Sequence, residues 1–109
     1  MKRGDIVLAV VPSELGKPRP GVIVQADEFN TDLLTIFVCP ISSDVQEKLQ
    51  LRPTLEANPS NGLRLRSQIM TDKMVALRRE RIRRVIGRID SETSQKLDRA
   101  MLVVLGLAR

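Results

Sequence analysis

Apolar residues in this chain come in short bursts separated by polar turns, and the bursts keep the spacing of strands until about residue 90. Ile6-Val7-Leu8-Ala9-Val10-Val11 follows Gly4-Asp5 and reads as a buried, β-branched strand. The stretch from Pro12 to Pro18 contains Gly16 and is a loop. Gly21-Val22-Ile23-Val24 predicts a second strand, closed by the polar turn 27–32. Residues 33–41 predict a third, with Thr35 as the main polar interruption. Pro40 is expected at the frayed end of that strand, because proline donates nothing to a ladder.

Beyond the polar loop 42–48, Leu49-Gln50-Leu51-Arg52 alternates as a short one-sided strand, and Asn58-Pro59-Ser60-Asn61-Gly62 is a strong turn signal. Residues 63–77 predict two strands broken near Thr71-Asp72-Lys73, residues 78–84 a short helical turn, and residues 85–89 a last strand. The period then changes. Asp90 or Ser91 caps a helix whose apolar positions are Leu97, Ala100, Met101, Val104 and Leu105, and Gly106 stops it. Six or seven short strands and one C-terminal α-helix predict a mainly β chain: a small antiparallel, barrel-like sheet covered on one side by the helix. With no repeat or linker, residues 1–109 read as one domain.

Composition narrows the chemistry. Phe29 and Phe37 are the only aromatic residues, so no platform for stacking bases can be built. Histidine is absent and Cys39 is the single cysteine, which excludes imidazole acid/base pairs, histidine metal sites and thiolate cages. Phosphate-cradling Gly-rich loops and dinucleotide fingerprints are also missing. No metal and no cofactor are expected. The apolar run 6–11 is too short for a signal peptide and nothing approaches a membrane span, so a reduced cytoplasm is the expected compartment.

The formal charge of +5 is local. Residues 64–84 carry seven arginines and one lysine against Asp72 and Glu80, a net +6. Such a stretch suits phosphate, and equally suits a solvated face or an acidic protein partner. Arg19 is clamped between Pro18 and Pro20 directly before a buried strand, which lowers the entropy cost of presenting its guanidinium. It could simply cover a barrel end. Ser42-Ser43-Asp44 ends the third strand with hydroxyls that can hold a phosphate oxygen or cap the local turn.

Together these segments resemble the MazF/PemK toxins of the CcdB/PemK fold. Lys2-Arg3-Gly4-Asp5-Ile6-Val7-Leu8 is similar to the family's opening strand. Glu14 through Arg19-Pro20-Gly21-Val22-Ile23-Val24-Gln25 is similar to its loop and second strand. Residues 36–43 resemble the strand ending in Ile-Thr or Ile-Ser. Ser67-Gln68-Ile69-Met70-Thr71-Asp72 resembles the later strand ending in an acid, and Gly87-Arg88-Ile89-Asp90 with Leu105-Gly106-Leu107 the family's end.

The resemblance implies a homodimeric toxin that cuts single-stranded RNA at a short recognition sequence, without metal, and is neutralised by an acidic antitoxin. It makes Arg19 and Ser42 the catalytic pair and Glu14 the candidate base, since an arginine stays protonated. RNA contacts are expected from Lys17, Ser43, Arg66, Asp72 and Lys73. The chain departs from the family pattern in a shorter loop before Arg19 and in Val75-Ala76, where many members carry Arg-Thr. Two rival readings remain open from sequence: a non-enzymatic CcdB-like gyrase poison, faintly suggested by Met70-Thr71-Asp72-Lys73-Met74, and a small RNA-binding barrel of the KOW type, suggested by Lys2-Arg3-Gly4-Asp5-Ile6-Val7.

Overall fold

The computed structural model describes residues 1–12, 16–47 and 51–108. Among them are seven strands: β1 (Asp5–Val10), β2 (Pro18–Ile23), β3 (Thr35–Ser42), β4 (Thr54–Leu55), β5 (Ser67–Ile69), β6 (Val75–Arg78) and β7 (Ile82–Arg88). The helix α1 (Ser91–Val104) follows. Every pairing is antiparallel, in the order β4-β5-β3-β2-β1-β7, with β6 alongside β3.

Alternation along the strands divides the core in two. Ile6, Val22, Cys39, Ile41 and Ile69 face α1 with Ile89 and Leu97, whereas Val7, Ala9, Ile23, Ile36, Val38 and Leu77 fill the opposite face of the curled sheet. Both faces of the central strands are therefore buried, which is why β1 reads as an unbroken apolar run. The helix starts at Asp90, whose carboxylate accepts from the Thr93 N–H at 2.7 Å, and ends at Gly106 with φ +75°. Arg3 ties it to the sheet, bonding Asp98 at 2.8 Å and donating from Nε to the Val24 carbonyl at 2.9 Å. Leu97 and Ala100 are buried as predicted, but Leu105 is exposed, because the helix has already turned away at its C-cap.

Four boundaries differ from the sequence reading. β2 begins at Pro18 rather than Gly21, because Pro18, Arg19 and Pro20 pair with Val10, Ala9 and Leu8 of β1. The two prolines lie two residues apart, so their missing N–H groups point the same way, toward β3, where pairing with β2 starts only at Gly21. Pro40 sits inside β3 and is buried, not frayed. Its ring lies at the seam where the edge of β3 changes partner from β6 to β5, and its carbonyl accepts from the Met70 N–H at 2.8 Å.

Of the strand expected over 49–52, Leu49 and Gln50 lie outside the described residues and Leu51-Arg52 form a bend; the short strand is Thr54–Leu55 instead. The helical turn expected over 78–84 is confined to Arg79–Arg81, and β7 starts at Ile82 because Ile82 pairs with Ala9. The Asn58–Gly62 turn and the break at Thr71–Lys73, a single 3-10 turn, fall where the residues place them.

Candidate active site

Three prolines open the site. With no donors on Pro18 and Pro20, the β2–β3 ladder stops at the Gly21–Pro40 pair and the two strands diverge beyond it. The residues just past that point are Arg19 and Pro20 on one side, and Ile41, Ser42 and Ser43 on the other. All five line one open groove of about 940 Å³. Gly21 is required at the fork: a Cβ there would lie 2.6 Å from Val38 Cγ1 and 3.3 Å from the Cys39 carbonyl oxygen.

Ser42 is half-buried and Ser43 exposed. The Ser42 Oγ accepts from the Asp44 N–H at 3.1 Å, so the hydroxyl caps its own turn while its O–H remains available to donate. The following backbone is held by buried Gln68, whose Oε1 accepts from the Gln46 N–H at 2.7 Å and whose Nε2 donates to the Gln46 carbonyl at 3.3 Å. That amide clamp holds the chain at Gln46, while Ser42 itself pairs with Gln68 in the β3–β5 ladder.

The far wall is supplied by the Asn58–Gly62 turn. Buried Asn61 donates to the Glu56 carbonyl at 2.8 Å and accepts from the N–H groups of Asn58 and Leu63. The turn docks on β7 through two glycines. A Cβ on Gly87 would meet the Asn61 carbonyl carbon at 2.3 Å, and one on Gly62 the Ile86 carbonyl oxygen at 2.2 Å. Leu63, Arg64 and Leu65 leave this junction along the groove.

The groove is electropositive. Arg19, Arg64, Lys73 and Arg84 line it, with Asp44 the one acid among the described lining residues. Of the residues expected from sequence, Arg19, Ser42, Ser43 and Lys73 come together here. Lys17 is exposed beside Gly16 but does not line the groove, and Glu14 lies outside the described residues. Arg66 turns to Glu56 at 3.0 Å and Glu47 at 3.9 Å.

Asp72 is engaged by Arg52 through two 2.8 Å bonds, from Nε and from Nη2. Those bonds hold its carboxyl below the usual carboxylate range. Neither Asp72 nor Arg66 lines the groove. Asp72 instead anchors the 3-10 turn that presents Lys73, together with the buried Thr71 hydroxyl, which donates to the Leu51 carbonyl.

Arg64 and Arg84 were not singled out by sequence reasoning. The charge run 64–84 contains both, but nothing in it tells a groove arginine from a solvated one. Cys39, buried in the core, is pushed up to about 12 by burial and stays a thiol. Among the described residues no cluster of His, Cys, Asp or Glu could hold a metal ion, and no helix is long and apolar enough to cross a membrane.

Comparison with known proteins agrees with this architecture. The family model for the "PemK-like, MazF-like toxin of type II toxin-antitoxin system" matches residues 2–105. The probable endoribonuclease MazF of Mycolicibacterium smegmatis is 35% identical over 109 residues, covering 99% of both chains. Endoribonuclease EndoA of Bacillus subtilis is 30% identical over 112 residues, covering 98% of this chain and 96% of that one.

Among solved structures, the Mycobacterium tuberculosis toxin MazF-mt6 superposes with a TM-score of 0.83 at 23% identity, covering 96% of this chain and 99% of that one. A mycobacterial endoribonuclease solved in complex with its cognate antitoxin also reaches 0.83, at 16% identity, covering 100% and 98%. The fold is shared throughout, and the family match runs through every strand and the helix. The chain belongs to the PemK-like, MazF-like toxins of type II toxin–antitoxin systems.

Proposed function

We propose that this toxin is an endoribonuclease that cuts single-stranded RNA in the groove between β2 and β3. The observation that carries the reading is that Arg19 and Ser42 line the same groove, on either side of the fork where the β2–β3 ladder ends, together with three further cationic side chains. The relatives named as endoribonucleases support it. The CcdB-like and KOW-like readings are not favoured, because those relatives match along nearly the whole chain.

The chemistry is attack of a ribose 2′-oxygen on the adjacent phosphorus with departure of the 5′-oxygen. It leaves a 2′,3′-cyclic phosphate and a 5′-hydroxyl. A proton leaves the 2′-hydroxyl and one arrives on the departing oxygen. Negative charge accumulates on the non-bridging oxygens between these events, and the Arg19 guanidinium and Ser42 O–H meet it as donors. Arg19 acts as an electrostatic group rather than as a base, because a guanidinium does not serve as a proton acceptor. Glu14, five residues before Arg19, is assigned the proton transfer from the 2′-hydroxyl.

Ser43 and Lys73 contact RNA inside the groove and Lys17 at its approach. Arg66 and Asp72 act through their ion pairs, holding the segments that flank it. With so few aromatic side chains, RNA is held by phosphate contacts and base edges rather than by stacking. The protein works as a cytoplasmic homodimer, and an acidic antitoxin segment that orders on binding covers the same electropositive groove.

The test is a mixed-sequence RNA incubated in EDTA with wild type and with Arg19→Ala. Discrete cuts bearing 2′,3′-cyclic phosphate ends, lost in the variant, are expected. Intact RNA, or cuts that survive in Arg19→Ala, would sink the assignment.

A further inference from the structure

The groove floor contains one arginine in a setting unlike the others. Arg84 stands on β7 directly opposite Leu8 of β1, which in turn stands opposite Pro20 of β2. These three residues form a row running across the sheet and all line the groove. At ordinary strand spacing, Arg84 is roughly 10 Å from the Arg19–Pro20 side of the row. Arg84 therefore reaches a part of the substrate next to the reacting phosphate along the strand.

Arg84 faces the groove because β7 carries two extra residues against β1. Ile6 pairs with Gly87 but Val7 with Val85, so Ile86 is bulged out and Arg84, not Val85, stands opposite Leu8. Leu8 pairs with Arg84 but Ala9 pairs with Ile82, so Arg83 is bulged out between them. Plain alternation would put Ile82 and Arg84 on the same face. The bulge at Arg83 sends Ile82 to the inner core with Ala9 and Leu77, while the one at Ile86 holds Arg84 over Leu8 on the groove side.

Three features mark Arg84 as a reader of a base. It makes no ion pair or side-chain hydrogen bond with the described residues, whereas Arg3, Arg52, Arg66 and Arg88 are each matched to a carboxylate. Arg84 is exposed, and its strand neighbours on the groove side are apolar: Leu8 across the strand pair and Ile86 two residues on. Arg64 and Lys73, by contrast, project from a loop and a 3-10 turn. Where Arg19 and Lys73 hold phosphates, the unstacked bases between them are left to present their edges to neighbouring donors. A guanidinium there offers two parallel N–H donors, which match the adjacent O6 and N7 acceptors of guanine.

We propose that Arg84 and Leu8 form a guanine-binding subsite beside the scissile phosphate, a specificity-determining element that rests on the endoribonuclease reading above. The test maps cuts in a mixed-sequence RNA at nucleotide resolution for wild type, Arg84→Lys and Arg84→Ala. Unchanged melting temperatures verify that both variants fold. Wild-type cuts are expected to share a guanine at one fixed offset from the cleaved bond. Both variants should keep cutting while the preference for guanine at that offset falls about tenfold or more in Arg84→Ala and by less in Arg84→Lys, since an ammonium still reaches O6 or N7 but lacks the planar fork.

With a single oligonucleotide, 7-deazaguanine at that offset should lower kcat/KM for wild type about tenfold and leave Arg84→Ala unchanged. Cuts with no shared guanine overturn the subsite. So does a loss of rate in Arg84→Ala with the guanine preference intact, which would mark a phosphate contact. A wild-type protein that cuts no RNA at all overturns the nuclease reading itself, and the subsite with it.

Discussion

A Cβ placed on Gly62 would come within 2.2 Å of the carbonyl oxygen of Ile86, a backbone atom of β7 that cannot swing aside. Gly62 also holds φ at +70°, where any side chain is strained. One glycine therefore satisfies two constraints at once, and the wall carrying Leu63, Arg64 and Leu65 depends on it.

Gly62→Ala is accordingly expected to cost about 2–4 kcal/mol, lowering Tm by about 10 °C or more. Gly16→Ala is the control. Its φ is +80° but nothing lies within 4 Å of a Cβ, so only the conformational cost of about 1–2 kcal/mol applies. Equal losses in the two variants, measured by thermal unfolding, would refute the close-approach argument.

Ser42 and Ser43 both line the groove, but only Ser42 is half-buried and held by the Asp44 N–H. Ser42→Ala is expected to lower kcat about 100-fold or more with KM little changed, the signature of a donor used in the transition state. Ser43→Ala should act mainly on KM. A larger kcat loss in Ser43→Ala would transfer the role to the neighbouring hydroxyl.

Lys73 lines the groove, whereas Arg66 is matched to Glu56 and Glu47 outside it. For a non-cleavable single-stranded RNA, Lys73→Ala should reduce the slope of log affinity against log salt by about 0.7, and Arg66→Ala by much less. Fluorescence titration at four salt concentrations reads the difference. Identical slopes would remove Lys73 from the phosphate track.

The Asp72 carboxyl is lowered chiefly by its hydrogen bonds from Arg52. A group depressed in the folded state adds stability above its unfolded pKa of about 3.9, and that stability is lost as pH falls through the lower folded value. Asp72→Asn should therefore destabilise the protein at neutral pH by on the order of 1–2 kcal/mol, with the partial exposure of Asp72 limiting the effect. The gap between variant and wild type should begin to narrow near about pH 4 and close only as pH falls through the lower folded value. Urea unfolding at several pH values checks this, and a gap independent of pH would assign the loss to packing.

Much of this molecule is legible along the chain because its determinants are local. Val7 and Ala9 alternate with Ile6 and Leu8, Asp90 precedes a helical stripe through Leu97 and Ala100, and Asn58–Gly62 is rich in turn formers. The strand faces, the helix and the turn follow from those patterns. Arg19 and Ser42 could be matched as a pair through family resemblance, since each ends or begins a recognisable strand.

Other features arise from partners distant in sequence. Pro40 looks like a strand terminus until β5 and β6 take turns along its edge, leaving its missing N–H at the seam between them. Asp72 and Arg66 look like free charges until Arg52 and Glu56 are folded against them. By period alone, Ile82 and Arg84 share a face, and only pairing to β1 with Arg83 bulged out puts them on opposite sides. Periodicity and turn chemistry act over a few residues, so the sequence by itself determined which segments are strands, which is the helix and where basic charge is concentrated. Register, bulges and ion pairing compare residues that only folding brings together, and the tertiary structure alone decided which of those charges line the groove.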